Sequence, residues 1–322
     1  MQLPPPLQVA VERELRRFSA AELTTAAVRL ADAYRAAAGD GRVLLRGAAA
    51  AAAYAGWRMP ATFAAISAAA AATAHSLPGF APQSAIDLGS GSGAALWAIS
   101  RCWPSLQQIT ALEREAELRD LAARLRSAEA LPAVSWQAAD LSRLTTLPDT
   151  DLVVAAYVLG ELSPADRSTL LERIWAAGPR TLLLVEPGTP RGAAVIGAAR
   201  TQLLQAGAAI AAPCPHHAAC PLSGDDWCHF AQRVARPAFQ RRLKGADAPF
   251  EDEKYSYLAV TRLPVRPPAA RILRRPETAA GHIRLTLCSA DGLQQTTVTR
   301  SQREAWRAAR DCDWGDGWTA PD

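Results

Sequence analysis

Two hydrophobic periods alternate along this chain, and the change between them divides it. Over residues 8–38 and 47–76, Leu, Val, Tyr and Phe return every three to four positions in an alanine-rich background. That is the period of helices burying one face. Gly39-Asp40-Gly41 separates the two blocks, and Pro78 and Pro82 end the second. From Ser84 the rhythm shortens. Apolar runs at 84–88, 108–112, 134–138, 151–158 and 181–185 read as strands, and 94–102, 115–130, 164–177 and 192–206 read as helices between them. Strands and helices in alternation predict an α/β fold with a doubly wound, mostly parallel sheet of Rossmann-like type. Further on, 255–261, 270–275, 282–288 and 294–299 read as antiparallel strands, with Gly281 and Asp291-Gly292 as turns. Three regions are expected: helical 1–80, an α/β core over 81–208, and a β-rich extension over 209–322 completing the sheet. No internal repeat is visible.

The first strand runs into AIDLGSGSGAALWAIS at 85–100. Asp87 ends the strand, and Gly89, Ser90, Gly91 and Gly93 turn the chain into a helix. Glycines serve where backbone must approach a ligand or adopt positive φ. Gly89, Gly91 and Ala94 alone also satisfy the GxGxxA pattern of dinucleotide folds. The acids separate the two readings. Asp87, two residues before the first glycine, is awkward beside a pyrophosphate but suits the cationic methionine end of S-adenosylmethionine. Glu113, ending the second strand, is placed for the ribose hydroxyls, and Asp140, after the third, for the adenine amino group. Acid, glycine loop, acid and acid at three consecutive strand tips resemble a class I S-adenosylmethionine-dependent methyltransferase, whose ligands lie at the carboxyl edge of the sheet.

The segment after the fourth strand, AAYVLGELSP at 155–164, has neither the Pro-Pro-aromatic motif of exocyclic-amine methylation nor a cysteine for a covalent 5-methylcytosine mechanism. Tyr157 is expected in the core and Glu161 at a cap or facing solvent, with pocket lining the alternative for both. No catalytic residue is assigned.

Charge adds a direction. The 322 residues carry 35 basic and 31 acidic side chains, a net of +4. Residues 231–322 hold 16 of the basic and 11 of the acidic groups, so the excess is C-terminal. Ten arginines between 262 and 310 face only Glu277, Asp291 and Glu304. Such a module suits a polyanion, RNA above all, with a solvated arginine-rich face as the alternative. Arg241, Arg242, Lys244 and the Arg271–Arg275 group are the expected phosphate contacts. The N-terminal stretch has prolines, Glu12 and Glu14 where a secretory signal needs an apolar segment, and the most apolar run, 61–74, is shorter than a membrane span. A cytoplasmic protein with reduced thiols and no membrane partner is expected, as a monomer.

Three of the six cysteines fall within PCPHHAACPLSGDDWCHF at 213–230. Their spacing is Cys214-x5-Cys220-x7-Cys228, and Cys288 is the candidate fourth ligand. Cys102 reads as a buried apolar residue, and Cys312 lies close to the C-terminus. Reduced, clustered thiols point to metal. Zinc prefers tighter C-x2–4-C pairs, completed here by cysteine or by one of His216, His217 and His229. Four thiolates at irregular spacing suit an iron–sulfur cluster.

The same segment, with LKGADAPFEDEKYSYLAVTR at 243–262, YAGWRMPATFAAI at 54–66 and VEPGTPRG at 185–192, is similar to the methyltransferase-like family associated with the small ribosomal subunit, with members in bacteria and mitochondria. The resemblance implies a class I fold, S-adenosylmethionine at Asp87–Gly93, and a [4Fe–4S] cluster on Cys214, Cys220, Cys228 and Cys288. It also implies action on ribosomal RNA or the small subunit, in assembly or translation. A methyltransferase acting on RNA and a non-catalytic assembly factor are both compatible with it; a small-molecule methyltransferase with structural zinc is a third reading.

Overall fold

The computed structural model describes residues 1–36, 47–222 and 225–320. The break expected at Gly39–Gly41 lies outside them. The helical region expected over 8–38 holds two helices. α1 (Pro5–Leu15) opens on prolines, whose missing N–H costs nothing in a first turn. α2 (Ala20–Ala36) starts at a reciprocal cap: the Glu22 backbone N–H donates to Ser19 Oγ (3.3 Å), and the Ser19 N–H donates to the Glu22 carboxylate (2.8 Å). α3 (Ala48–Ser76) is a 29-residue helix whose small buried residues, Ala52, Ala53, Ala64 and Ala69 among them, let it lie close against its neighbours.

The α/β part follows the expected alternation: β1 (Ser84–Leu88), α4 (Ala94–Cys102), β2 (Gln108–Leu112), α5 (Ala116–Arg126), β3 (Ala133–Gln137), β4 (Leu152–Ala156), α6 (Pro164–Ala176), β5 (Thr181–Pro187) and α7 (Pro190–Gln205). β6 (Ala209–Ala212), β7 (Phe230–Ala235), α8 (Ala238–Lys244) and β8 (Phe250–Thr261) complete it. The strand order is β3-β2-β1-β4-β5-β8-β6. The first five strands are parallel, β8 runs antiparallel between β5 and β6, and β7 pairs with the first half of β8. This is a class I methyltransferase-like α/β fold.

Parallel strands covered on both faces must be apolar throughout. Ala85, Leu152, Val154, Leu183 and Val185 join α3, α4 and α5 in one core, while Ile86, Leu88, Val153, Leu182 and Leu184 join α6 and α7 in the other. By the same alternation Asp87 belongs to the α3 face.

A second, antiparallel sheet consists of β9 (Ala270–Ile272), β10 (Glu277–Ala279), β11 (His282–Ser289), β12 (Gly292–Thr299) and β13 (Gly317–Trp318), in the order β10-β11-β9-β13 with β12 also on β11. α9 (Arg303–Asp311) covers one face, over Ile272, Ile283, Leu285, Leu287 and Val298. Cys288 follows Leu287 and so points to the opposite face.

Candidate functional site: an acidic sheet edge and a four-cysteine cavity

At the carboxyl edge of the main sheet, the loop after β1 takes positive φ at Gly89 (68°), Gly91 (54°) and Gly93 (88°). A side chain at Gly89 would also strike Val158, at 2.5 Å from the position of its Cβ. The loop is tied to β2: Gly89 and Ser90 donate backbone N–H groups to the Leu112 carbonyl (2.8 and 3.0 Å). Glu113 fastens it further, one carboxylate oxygen accepting from the Gly91 N–H (2.9 Å) and the other from the Glu115 N–H (2.9 Å).

Asp87 is only 1% exposed, and its Oδ2 and the Ser90 Oγ are buried with no hydrogen-bond partner among the described residues. Burial, and then the neighbouring Glu113, push the Asp87 carboxyl up to about 7. Glu161 is half-buried rather than solvent-facing, and burial and Glu113 push it up to about 7 as well. Glu186, at the end of β5, is raised to about 7 by burial although it accepts from the Leu159 and Gly160 N–H groups (2.9 and 3.3 Å). A buried acid with no cation beside it is a group awaiting one, and a sulfonium and an ammonium are of the right charge. Asp140 behaves differently. Its Oδ1 accepts from Ser142 N (3.0 Å) and Oγ (2.7 Å), capping a short 3-10 turn, and these bonds hold its carboxyl low.

Nothing in the local pattern joins Tyr157 to residues of two distant segments. Tyr157 ends β4 two residues earlier than expected because it adopts φ 57°, strained for a side chain of its size. Its phenol meets Glu253 Oε1 at 3.0 Å, and Glu253 on β8 takes two hydrogen bonds from Arg58 on α3 (2.8 and 3.2 Å). Arg58 Cζ also lies 4.9 Å from the centre of the Tyr157 ring. One turn before Arg58, the Tyr54 ring approaches Gly91 to 3.9 Å of where a Cβ would stand. α3 therefore walls the glycine loop. The signal available in the sequence was Tyr54 and Arg58, four apart, in a helix otherwise mostly alanine.

The cysteines meet on the far side of β8. Cys214 (after β6), Cys220, Cys228 (before β7) and Cys288 (on β11) line one cavity of about 550 Å³, together with Arg200, His216, Trp227 and Arg271. Burial, then the other three thiols, hold Cys228 well above its usual range. Burial and the thiols of Cys214 and Cys220 push Cys288 to about 11. Thiols that raise one another in this way ionise together only around a cation. Among the described residues no three His, Cys, Asp or Glu side chains converge tightly enough to grip a single ion. What the structure brings together is four cysteine sulfurs lining one cavity. His216 Nε2 lies 3.4 Å from Cys288 Sγ. His217 instead accepts from Ile210 N (3.2 Å), and His229 is stacked on Trp227 and hydrogen-bonded to its own chain. Cys102 packs in the first core and Cys312 against the second sheet.

The expected phosphate contacts divide. Lys244 is ion-paired with Glu251 at 2.7 Å, Arg274 with Asp226, and Arg271 donates to the Pro213 (2.6 Å) and Gly315 (2.8 Å) carbonyls. These three hold the fold together, because β8 and the segments before β7, after β6 and before β13 bring acceptors to them. Arg241, Arg242 and Arg275 remain exposed.

Known proteins were compared with this chain. Human "Ribosome assembly protein METTL17, mitochondrial" is 30% identical over 267 residues, covering 74% of this chain and 56% of that protein. "Rsm22-cox11 tandem protein 2, mitochondrial" of Schizosaccharomyces pombe is 26% identical over 287 residues, covering 73% of this chain and 38% of that one. The chain thus spans about half or less of the length of these relatives. Among solved structures, magnesium protoporphyrin IX methyltransferase of Synechocystis PCC 6803 with bound SAM is similar at 14% identity and a TM-score of 0.42, over 72% of this chain and 90% of that chain. The cytoplasmic expectation is corrected by the relatives, which are mitochondrial proteins; an unremarkable N-terminal composition is no guide to compartment. Among the described residues no helix is long and apolar enough to cross a membrane. The sequence profile described as "Mitochondrial small ribosomal subunit Rsm22" matches residues 48–319, and the chain belongs to that family.

Proposed function

We propose that this chain binds S-adenosylmethionine at the acidic pocket and an iron–sulfur cluster at the cysteine cavity, and acts on small-subunit ribosomal RNA during ribosome assembly. The convergence of four cysteines, from positions up to 74 residues apart in sequence, on one cavity carries the cluster reading. Asp87, Ser90, Glu113 and Asp140, with Gly89, Gly91 and Gly93 as the floor, would hold the cofactor. Once bound, the cofactor supplies an activated methyl group. Cys214, Cys220, Cys228 and Cys288 would hold a [4Fe–4S] centre tying β6, β7 and β11 together, so that its loss loosens the second sheet on the first. The relatives, a ribosome assembly protein and a small-subunit family, support the subunit as partner.

Within this reading a non-catalytic assembly factor is favoured over an RNA methyltransferase. The segment after β4, beside the glycine loop, is filled by Tyr157, Glu253 and Arg58 bonded to one another, and the Glu253 carboxylate that would take a proton from an acceptor is already held by Arg58. Methyl transfer to immature small subunits, with Asp87→Ala as control, separates the two: transfer that disappears in the variant establishes the enzyme.

Anaerobic purification followed by iron, sulfide and zinc analysis tests the cluster. About four iron and four sulfide per chain, lost in Cys288→Ser, is the expected result. A single zinc without sulfide would sink the assignment.

A further inference from the structure

At the opposite, amino end of the main sheet lies a second cleft, of about 660 Å³. His75 to Phe80, the end of α3 and the turn after it, form one wall. Arg180, just before β5, Arg266 in the loop after β8, and Arg271 on β9 reach it from the others. Its lining holds three guanidinium groups and an imidazole, and no carboxylate.

The cations are unequally committed. Arg271 spends Nε and Nη1 on two carbonyls. Arg180 is half-exposed, lies over the Phe80 ring at 5.6 Å, and has only a long contact, 3.7 Å, to Asp151. Asp151 is itself occupied, accepting from the Gln83 and Ser84 backbone N–H groups (2.8 and 3.2 Å). Arg266 is exposed and has no hydrogen bond or ion pair among the described residues, and His75 has none either. Like charges gathered with no carboxylate in the lining, and with only the distant, already occupied Asp151 beside Arg180, repel, so the arrangement favours an anion. The planar guanidinium fork matches a phosphate in particular. Around the cations Leu77, Phe80, Leu263, Pro264 and Pro268 supply apolar surface. Surface of that kind suits a sugar and base better than a bare ion, and the volume is that of a small-molecule site.

We infer that this cleft is a nucleotide-phosphate site, and that it receives the sugar–phosphate backbone of an RNA strand. The inference rests on the RNA reading above and gives it a place. It also links the two halves of the molecule. Arg271 lines both this cleft and the cysteine cavity, and it is the register partner of Cys288. A centre that fixes β11 on β9 therefore fixes one wall of the cleft.

The test uses the full chain and a fluorescein-labelled oligouridine, with anisotropy read at several salt concentrations. Arg266→Ala touches no internal contact and leaves the fold intact. It is expected to weaken binding roughly two- to fivefold, the effect of one exposed ion pair, and to flatten the dependence of log K on log salt by about 0.7. Arg180→Gln combined with it deepens both effects. Arg16→Ala, at the exposed C-cap of α1, leaves them unchanged. Uridine 5′-monophosphate, titrated alone, separates the sources. Binding as tight as the oligomer's and lost in Arg266→Ala would keep the phosphate site but assign it to a free nucleotide. Unchanged affinity and salt slope in the double variant, with RNA still bound by the parent chain, would overturn the cleft and leave the RNA reading standing. A parent chain that binds no RNA would overturn both.

Discussion

Replacing Asp87 by asparagine should stabilise the ligand-free protein while destroying its cofactor site. The carboxyl is 1% exposed, one of its oxygens has no partner, and its neighbour Glu113 is another acid. Burial raises it from its usual 3.8 to about 7 in the folded chain. A carboxyl that binds its proton more tightly when folded favours folding fully below the unfolded value, near 4, and that advantage is lost as pH rises towards 7. Over that interval the loss amounts to about 4 kcal/mol, at about 1.4 kcal/mol per pH unit. Asparagine cannot ionise, so Asp87→Asn should match the parent at pH 4 and exceed it by up to about 4 kcal/mol at pH 8. Urea unfolding of both proteins across this range, at unchanged m, reads the difference directly. The same proton opposes a cationic ligand. S-adenosylmethionine affinity of the parent should therefore rise with pH up to about 7 and level off above it, and the variant should bind weakly at every pH. A variant no more stable than the parent at pH 8 would show that the carboxylate is well solvated or compensated, and would refute the account of the pocket as a buried acid awaiting a cation.

Two further outcomes test the framework around the pocket. The Arg58 and Glu253 side chains are 19% and 13% exposed, so Arg58→Met or Glu253→Gln alone should cost about 3 kcal/mol by stranding the partner; the double variant, followed by urea unfolding, should cost clearly less than the sum. In α7 a Cβ at Gly192 would stand 2.0 Å from the Pro187 carbonyl oxygen, so Gly192→Ala should push the helix off the end of β5 at a cost of about 3 kcal/mol, seen as a lower melting temperature.

What could be read in the residues, and what could not, follows the range of the forces involved. The parallel strands and their helices were legible because each buries its own apolar run, a property of neighbours in sequence. The extra elements were not. β6 has four residues, β10 three and β13 two, too short for a period to show. β7 and α8 sit among turn-formers and basic residues whose partners, such as Glu251 for Arg236 and Lys244, lie on another strand. The boundary of β4 was misplaced for the same reason: valine after tyrosine promised more strand, but the bond to Glu253 and the crowding of Val158 on Gly89 turned the chain at Tyr157.

The candidate sites divide in the same way. Asp87, Glu113 and Asp140 could be identified from their places at strand tips, because in a parallel sheet the position of an acid along the strand decides the edge on which it emerges. The cysteines could be identified as a group, and Cys288 as a candidate fourth, from count and spacing. Only the tertiary structure decided that one Asp87 oxygen has no partner, that Glu161 is half-buried beside Glu113, that α3 places Tyr54 and Arg58 over the glycine loop, and that Arg271 is spent on carbonyls while Arg266 is free for a ligand. Residue type fixes what a side chain can do, and local pattern fixes the element that carries it. Burial, charge neighbours and hydrogen-bond partners come from segments far apart in the chain, and no local pattern contains them.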